Sequence, residues 1–171
     1  MRFEMVNKLL FMLIFINFQA QLAIAETQQI EVKNTLQSFE IINLPDLNIW
    51  AMKTEVTWDL YDIFLLRLDL PEAEREKEVD LNVRPSKPYY LPNEGFGHSG
   101  QPALAINYNG AVKFATWLSE NTGKAFRLPT EDEWEGLCYA DIPEKLDEHA
   151  WFDENSDLMT GAVGTLKPNE F

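Results

Sequence analysis

The chain has 171 residues, and its 28 Asp and Glu side chains outnumber its 14 Lys and Arg side chains, which gives a formal net charge of −14. This length suits a single domain. The acidic excess argues against binding to nucleic acid or to an anionic membrane surface, because both need Lys and Arg beside phosphate groups. The charge itself identifies no partner, although it leaves Ca²⁺ as an alternative ligand.

The first 25 residues have the three-part layout of a secretory signal. Arg2 and Lys8 precede an unbroken apolar run over Leu9–Ile16, and Ala23-Ile-Ala25 offers a small-x-small cleavage site. The apolar run is too short to span a bilayer comfortably. We predict that residues 1–25 are a signal peptide, that the protein is periplasmic or secreted, and that it has no stable membrane insertion after cleavage. A retained N-terminal anchor is the alternative.

Polar residues dominate the segment 26–37, and we predict that it is a flexible N-terminus of the mature chain, ahead of a domain over residues 38–171. Residues 38–52 are typical of strands. The first helix is predicted over residues 57–70, because apolar side chains recur there at helical spacing on one face. They are Tyr61, Phe64, Leu65 and Leu68.

Residues 82–102 contain four prolines and three glycines and predict a long irregular segment. Loops of this kind inside a small domain are often functional. The structural alternative is that Tyr89, Tyr90 and Phe96 only cover the core.

Two more helices are predicted in the second half of the chain. One covers residues 109–121 and ends before Gly123, which suits the left-handed position just past a helix. The other covers residues 130–140, because Thr130 and Glu133 have the spacing of a capping box. Helices combined with short, mainly antiparallel strands indicate an α+β fold.

The two histidines do not form a recognisable catalytic or zinc-binding pattern. His98 and His149 are far apart in sequence and lack the spacing of paired zinc ligands. The run His98-Ser99-Gly100 also lacks the Gly-x-Ser-x-Gly pattern that positions a nucleophilic serine. A zinc hydrolase and a serine hydrolase are therefore both disfavoured.

Cys138 is the only cysteine, so no disulfide can form within the chain. It falls on the third predicted helix, and we predict that it is buried there as a small apolar side chain. Pairing with another chain and a reactive role are the alternatives.

The run from Asp153 through Asn155 to Asp157 has the alternating oxygen ligands of a calcium loop. Position six is Leu158 and position twelve is Gly164, so the loop is not an EF-hand. A solvated acidic turn is favoured, with structural calcium as the alternative.

Four residues near the start of the third helix invite an active-site interpretation: Arg127, Glu133, Trp134 and Glu135. Their spacing favours an architectural role instead. Arg127 can pair with a carboxylate of the helix, and Trp134 can face the core.

Four segments of the sequence resemble the sulfatase-modifying factor family, to which the formylglycine-generating enzyme belongs. The run Phe126–Glu135 (Phe-Arg-Leu-Pro-Thr-Glu-Asp-Glu-Trp-Glu), preceded by Trp117–Gly123, is similar to the family's signature. Further family segments in the right order are resembled by Ile49–Tyr61, by Gly100–Ile106, and by Val163-Gly164 with Lys167–Phe171. The resemblance covers roughly residues 38 to 171.

The resemblance implies an irregular α+β fold of the C-type-lectin-like kind, and it implies copper chemistry in the catalytic members. Those members oxidise a sulfatase cysteine to formylglycine with copper that is held by two cysteines. In the family, these two cysteines lie C-terminal to the position that corresponds to Phe171. We therefore expect the C-terminal half of the domain to be missing. Cys138 matches a helix position of the family and neither copper ligand. No catalytic, cofactor-binding or metal-binding residue is predicted, and no cofactor is expected in this chain.

Two functions remain in view. The first is an exported member of this family that is inactive alone because it lacks the cysteine pair. The alternative is a non-catalytic secreted domain that binds a protein or a glycan on the same lectin-like fold.

Overall fold

The computed structural model describes residues 26–78, 95–139 and 145–168. Its strands are β1 (Thr27–Glu31), β2 (Ser38–Leu44) and β3 (Ile49–Met52). Its helices are α1 (Trp58–Leu65), α2 (Glu72–Glu78), α3 (Tyr108–Thr122) and α4 (Glu131–Tyr139), with a short 3-10 helix at Leu146–Glu148. Helices beside a small antiparallel sheet confirm the α+β class. Within the described ranges, no helix is long and apolar enough to cross a membrane.

The three strands pair in the order β1-β2-β3, and both pairs are antiparallel. β1 lies inside the segment that the sequence predicted to be flexible, so that prediction differs from the structure. The reason is a period-two pattern: Ile30 and Val32 are 4% and 2% exposed, while the residues between and before them face solvent. Two buried apolar side chains are enough to fix this edge strand.

The core lies where α1 packs against α3. Tyr61 and Phe64 of α1 meet Phe114 and Trp117 of α3, with neighbouring ring centroids 5.3 to 5.6 Å apart across the two helices. Such tilted and edge-on contacts are the arrangements that aromatic rings prefer. The apolar stripe that predicted α1 is therefore confirmed at its first members.

Helix α1 is shorter than predicted. It ends at Leu65, and Arg67 adopts a left-handed conformation with φ of 52°. Leu68 is 40% exposed and does not continue the buried stripe. The helix breaks because Asp69 is drawn into the core, where its carboxylate accepts a hydrogen bond from the Trp117 indole at 3.1 Å.

The junction between α3 and α4 has the predicted geometry. Gly123 has φ of 73° and its N–H donates to Ser119 O at 2.9 Å. The Thr130 N–H donates to Glu133 Oε2 at 2.8 Å, and the Glu133 N–H donates to the Thr130 hydroxyl at 3.2 Å. This reciprocal pair is a capping box, so the predicted start of α4 is confirmed.

Candidate functional site

Residues 98–103, called the docked loop below, lie against the first turn of α1. Both carboxylate oxygens of Asp59 hold this loop: Oδ2 accepts from the Gly100 N–H at 2.6 Å, and Oδ1 accepts from the Ser99 hydroxyl at 3.0 Å. Thr57 is the N-cap that starts the helix and so places Asp59 in its first turn. A carboxylate at this position is also favoured by the helix dipole.

A second carboxylate of α1, Asp62, holds the docked loop by contacting the loop residue His98. His98 Nε2 lies 2.6 Å from Asp62 Oδ2, and the imidazole stacks on the Trp58 indole with centroids 5.3 Å apart and an angle of 15° between the rings. The backbone N–H of Trp58 also donates to Gln101 O at 3.0 Å. Asp59 and Asp62 are three residues apart on a helix, so both face the loop.

The arrangement fixes the loop and does not activate a nucleophile. The Ser99 hydroxyl donates a hydrogen bond to Asp59, whereas the His98 imidazole is hydrogen-bonded to Asp62, so the two side chains contact different carboxylates. A catalytic serine would instead donate to the imidazole that removes its proton. The structure assigns His98 and Ser99 a positioning role that the sequence did not predict.

The docked loop also holds the C-terminal segment of the described chain. The Val163 N–H donates to Gly100 O at 2.9 Å, and the Thr160 hydroxyl contacts the Gln101 side-chain amide at 3.0 Å. Trp151 lies directly over Gly161, where an added Cβ would come within 2.1 Å of the indole nitrogen. Gly161 is therefore required for this packing.

Two open clefts flank the α1 face that carries the carboxylates. The first, of about 380 Å³, lies between Asp59 and the strands β2 and β3, and the second, of about 430 Å³, lies between α1 and the β1–β2 connection. Asp59 and Gln37 border both clefts, so the two are neighbours. In the described part of the chain, neither Asp59 nor Asp62 forms an ion pair with a lysine or arginine.

A separate buried carboxylate has a structural role. Asp69 is 5% exposed and accepts hydrogen bonds from Arg67 at 3.2 Å and from the Trp117 indole at 3.1 Å. Burial alone would raise the pKa of Asp69, but the hydrogen bonds from Arg67 and Trp117 and the Arg67 charge outweigh it and lower the pKa of this carboxyl. The ionised Asp69 carboxylate, hydrogen-bonded to Arg67 and Trp117, connects the end of α1 to α3.

The four residues near the start of α4 divide in the structure. Arg127 and Glu133 form a two-pronged ion pair at 2.6 Å, and this pair, together with the capping hydrogen bond, lowers the pKa of Glu133 to about 2. The predicted pairing of Arg127 with a carboxylate of the helix is confirmed. The prediction that Trp134 faces the core is wrong, since Trp134 is 52% exposed. Gly136 faces inward instead, and a Cβ there would lie 3.1 Å from Leu47.

The residues considered for calcium are not assembled around a vacant centre. Asn155 closes a local turn: its Oδ1 accepts from the Phe152 N–H at 2.8 Å, and its amide donates to Ala150 O at 2.9 Å. The described residues contain no group of three or more His, Cys, Asp or Glu side chains that could hold a metal ion. The solvated acidic turn stays the prediction for Asp153 and Asp157, with structural calcium as its untested alternative.

The copper site implied by the family resemblance does not fit the residues of this chain. Such a site takes two thiolates, and the sequence contains one cysteine, Cys138, which falls on α4. The burial predicted for the Cys138 side chain lies outside the described residues. No reaction step is derived through copper.

The sequence model of a family described as "Sulfatase-modifying factor enzyme 1-like domain" matches residues 23–168. The chain therefore belongs to the sulfatase-modifying factor family, as its signature around α4 indicated. No curated protein and no solved structure matches the chain.

Proposed function

We propose that this chain is a binding member of the sulfatase-modifying factor family and does not by itself oxidise a sulfatase cysteine to formylglycine. The docked loop carries the proposal. Its histidine and serine, which could otherwise support chemistry, are hydrogen-bonded to Asp62 and Asp59 and so fix the shape of a surface with two open clefts. A concave, non-catalytic surface of fixed shape is suited to binding a partner.

The cysteine content of the chain supports the same proposal. Catalytic members of the family hold copper with a pair of cysteines, whereas Cys138 is the only thiol here. One thiolate gives a copper ion a single soft ligand, which is too few for a stable two-thiolate centre.

The test is a copper-dependent oxidation assay with the full chain, oxygen and a cysteine-containing sulfatase peptide. We expect no aldehyde on the peptide by mass spectrometry. The matched control is Cys138→Ser, which should give the same result. Aldehyde formed by the natural chain and lost in Cys138→Ser would show that the chain is an oxidase after all.

We also propose export and a C-type-lectin-like fold. The basic start, the apolar run Leu9–Ile16 and the small residues Ala23 and Ala25 support export, and family membership supports the fold. Export predicts that the protein recovered outside the cytoplasm begins at Glu26. Recovery of a membrane-bound chain that still begins at Met1 would instead support a retained anchor.

A further inference from the structure

The cleft between α1 and the β1–β2 connection, called the α1 groove below, combines an apolar floor with an acidic rim. Leu36, Ile63 and Leu68 supply the apolar surface, and Asp59 and Asp62 supply the carboxylates, around a volume of about 430 Å³. Leu36 is fully exposed and Leu68 is 40% exposed, whereas Ile63 is buried in the core. A single exposed leucine is ordinary, but two that face one groove beside two carboxylates form a binding surface of definite chemistry.

Leu36 is held in its exposed position by the backbone around it. The Val32 N–H donates to Gln37 O at 3.0 Å, and the Thr35 hydroxyl donates to Val32 O at 2.9 Å while accepting from the Gln37 N–H at 3.1 Å. The connection is therefore closed by its own hydrogen bonds. The leucine at its tip gains nothing from burial within the fold, although hydrogen bonds hold the backbone around it.

Leu68 is also placed by contacts other than its own burial. Its N–H donates to Ile63 O at 2.9 Å, and the preceding Arg67 adopts φ of 52°, a conformation that is uncommon for residues other than glycine. The buried Asp69 then fixes the chain on the other side. Both leucines thus stand on rigid backbone, which lowers the entropy cost of binding a partner there.

The rim carries carboxylates that pair with no lysine or arginine of the described chain. Asp59 accepts from a hydroxyl and a backbone N–H, and Asp62 contacts an imidazole. The net charge of −14 opposes occupation by a second copy of the chain, by a nucleic acid or by an anionic surface. A cationic partner is the one that the charge favours.

We infer that the α1 groove binds an extended polypeptide segment in which a leucine-like side chain is flanked by lysine or arginine. The apolar side chain packs between Leu36 and Leu68, and the flanking cations lie beside Asp59 and Asp62. The segment extends past Gln37 toward the neighbouring cleft, which shares Gln37 and Asp59 with the groove. This inference rests on the proposed binding function and names the class of partner.

The test measures fluorescence anisotropy of two labelled peptides with the full chain. One is Gly-Lys-Leu-Lys-Leu-Lys-Gly, and the other replaces both leucines with serine. We expect the leucine peptide to bind about tenfold more tightly, because a buried leucine side chain is worth at least that factor. Leu36→Ser should remove about tenfold of that affinity, and added salt should weaken it further. The matched control is Leu158→Ser, a substitution of another exposed leucine, at 72% exposure, that should change nothing.

Each remaining outcome overturns the inference in a recognisable way. Equal binding of the two peptides, or an equal loss in Leu36→Ser and Leu158→Ser, would show unspecific attraction of cations to an acidic chain. No binding of the leucine peptide would remove this class of partner. Concentration-dependent dimerisation lost in Leu36→Ser would assign the groove to a second copy. None of these results bears on oxidation, so the copper assay tests the proposed function separately.

Discussion

Two buried tryptophans offer a matched test of how the fold is held together. Trp117 is 5% exposed and donates its indole N–H to the buried carboxylate of Asp69 at 3.1 Å. Trp58 is 0% exposed, and its indole nitrogen has no hydrogen-bond partner among the described residues. Trp117→Phe and Trp58→Phe therefore remove the same atoms from two buried sites, but only the first breaks a hydrogen bond.

The expected difference follows from that bond. A hydrogen bond to a charged group contributes about 1.5–3 kcal/mol, whereas a buried N–H without a partner costs about 1–3 kcal/mol, which its removal relieves. The packing lost with the larger ring is similar in the two variants. Trp117→Phe should therefore lower the free energy of unfolding by at least about 1.5 kcal/mol more than Trp58→Phe does.

Urea denaturation followed by far-ultraviolet circular dichroism measures this difference without relying on tryptophan fluorescence. The pH dependence gives a second check. Because the pKa of Asp69 is lowered in the folded state, its contribution is present above its unfolded value of about 3.9 and is lost as the pH falls through the folded value. The deficit of Trp117→Phe should shrink in that acidic range. Equal destabilisation by the two substitutions at neutral pH would refute the reasoning.

Three further outcomes are expected from single sites. Gly161→Ala should cost about 1–3 kcal/mol in urea denaturation, because its Cβ would displace the Trp151 indole; an unchanged stability would mean that the indole does not lie there. The carboxyl of Glu133 should titrate near pH 2 by NMR and return toward about 4.3 in Arg127→Gln, and a normal value in the natural chain would contradict the ion pair. Burial raises the pKa of Tyr61 to about 12. The free energy of unfolding should therefore keep its full value below about pH 10 and fall as the pH rises toward 12. Ionisation of all tyrosines near pH 10 in the folded protein would contradict the burial of Tyr61.

The parts of the fold that follow from local chemistry could be predicted from the sequence. The capping box of Thr130 and Glu133 and the helix end at Gly123 depend only on residues within a few positions of one another. The same signature identified the family. The start of α1 and its first apolar side chains were predictable for the same reason.

The parts of the fold that depend on contacts between distant residues could not be predicted from the sequence. α1 was expected to continue to residue 70 because Leu68 keeps the helical spacing, but the bond between Asp69 and Trp117 joins positions 48 apart and ends the helix early. β1 was missed because residues 26–35 contain only two apolar side chains, Ile30 and Val32, among polar ones. Trp134 was expected in the core from its spacing alone.

The candidate site was the least predictable feature. His98 and Asp62 are 36 positions apart, and Ser99 and Asp59 are 40 positions apart. The only local signal was the pair of carboxylates three residues apart in a helix that begins at Thr57, and such a pair is more often a solvated face. The docking of the loop became visible only once the tertiary contacts were known.

The claim that the functional surface is the α1 face can be tested directly by NMR titration of the isotope-labelled full chain with the Lys-Leu peptide. The amide signals of Leu36, Asp62 and Leu68 should shift progressively, while those of Thr130 and Glu133, which border neither cleft, stay in place. Shifts centred on the second group, or no shifts at the first, would contradict the assignment of this surface.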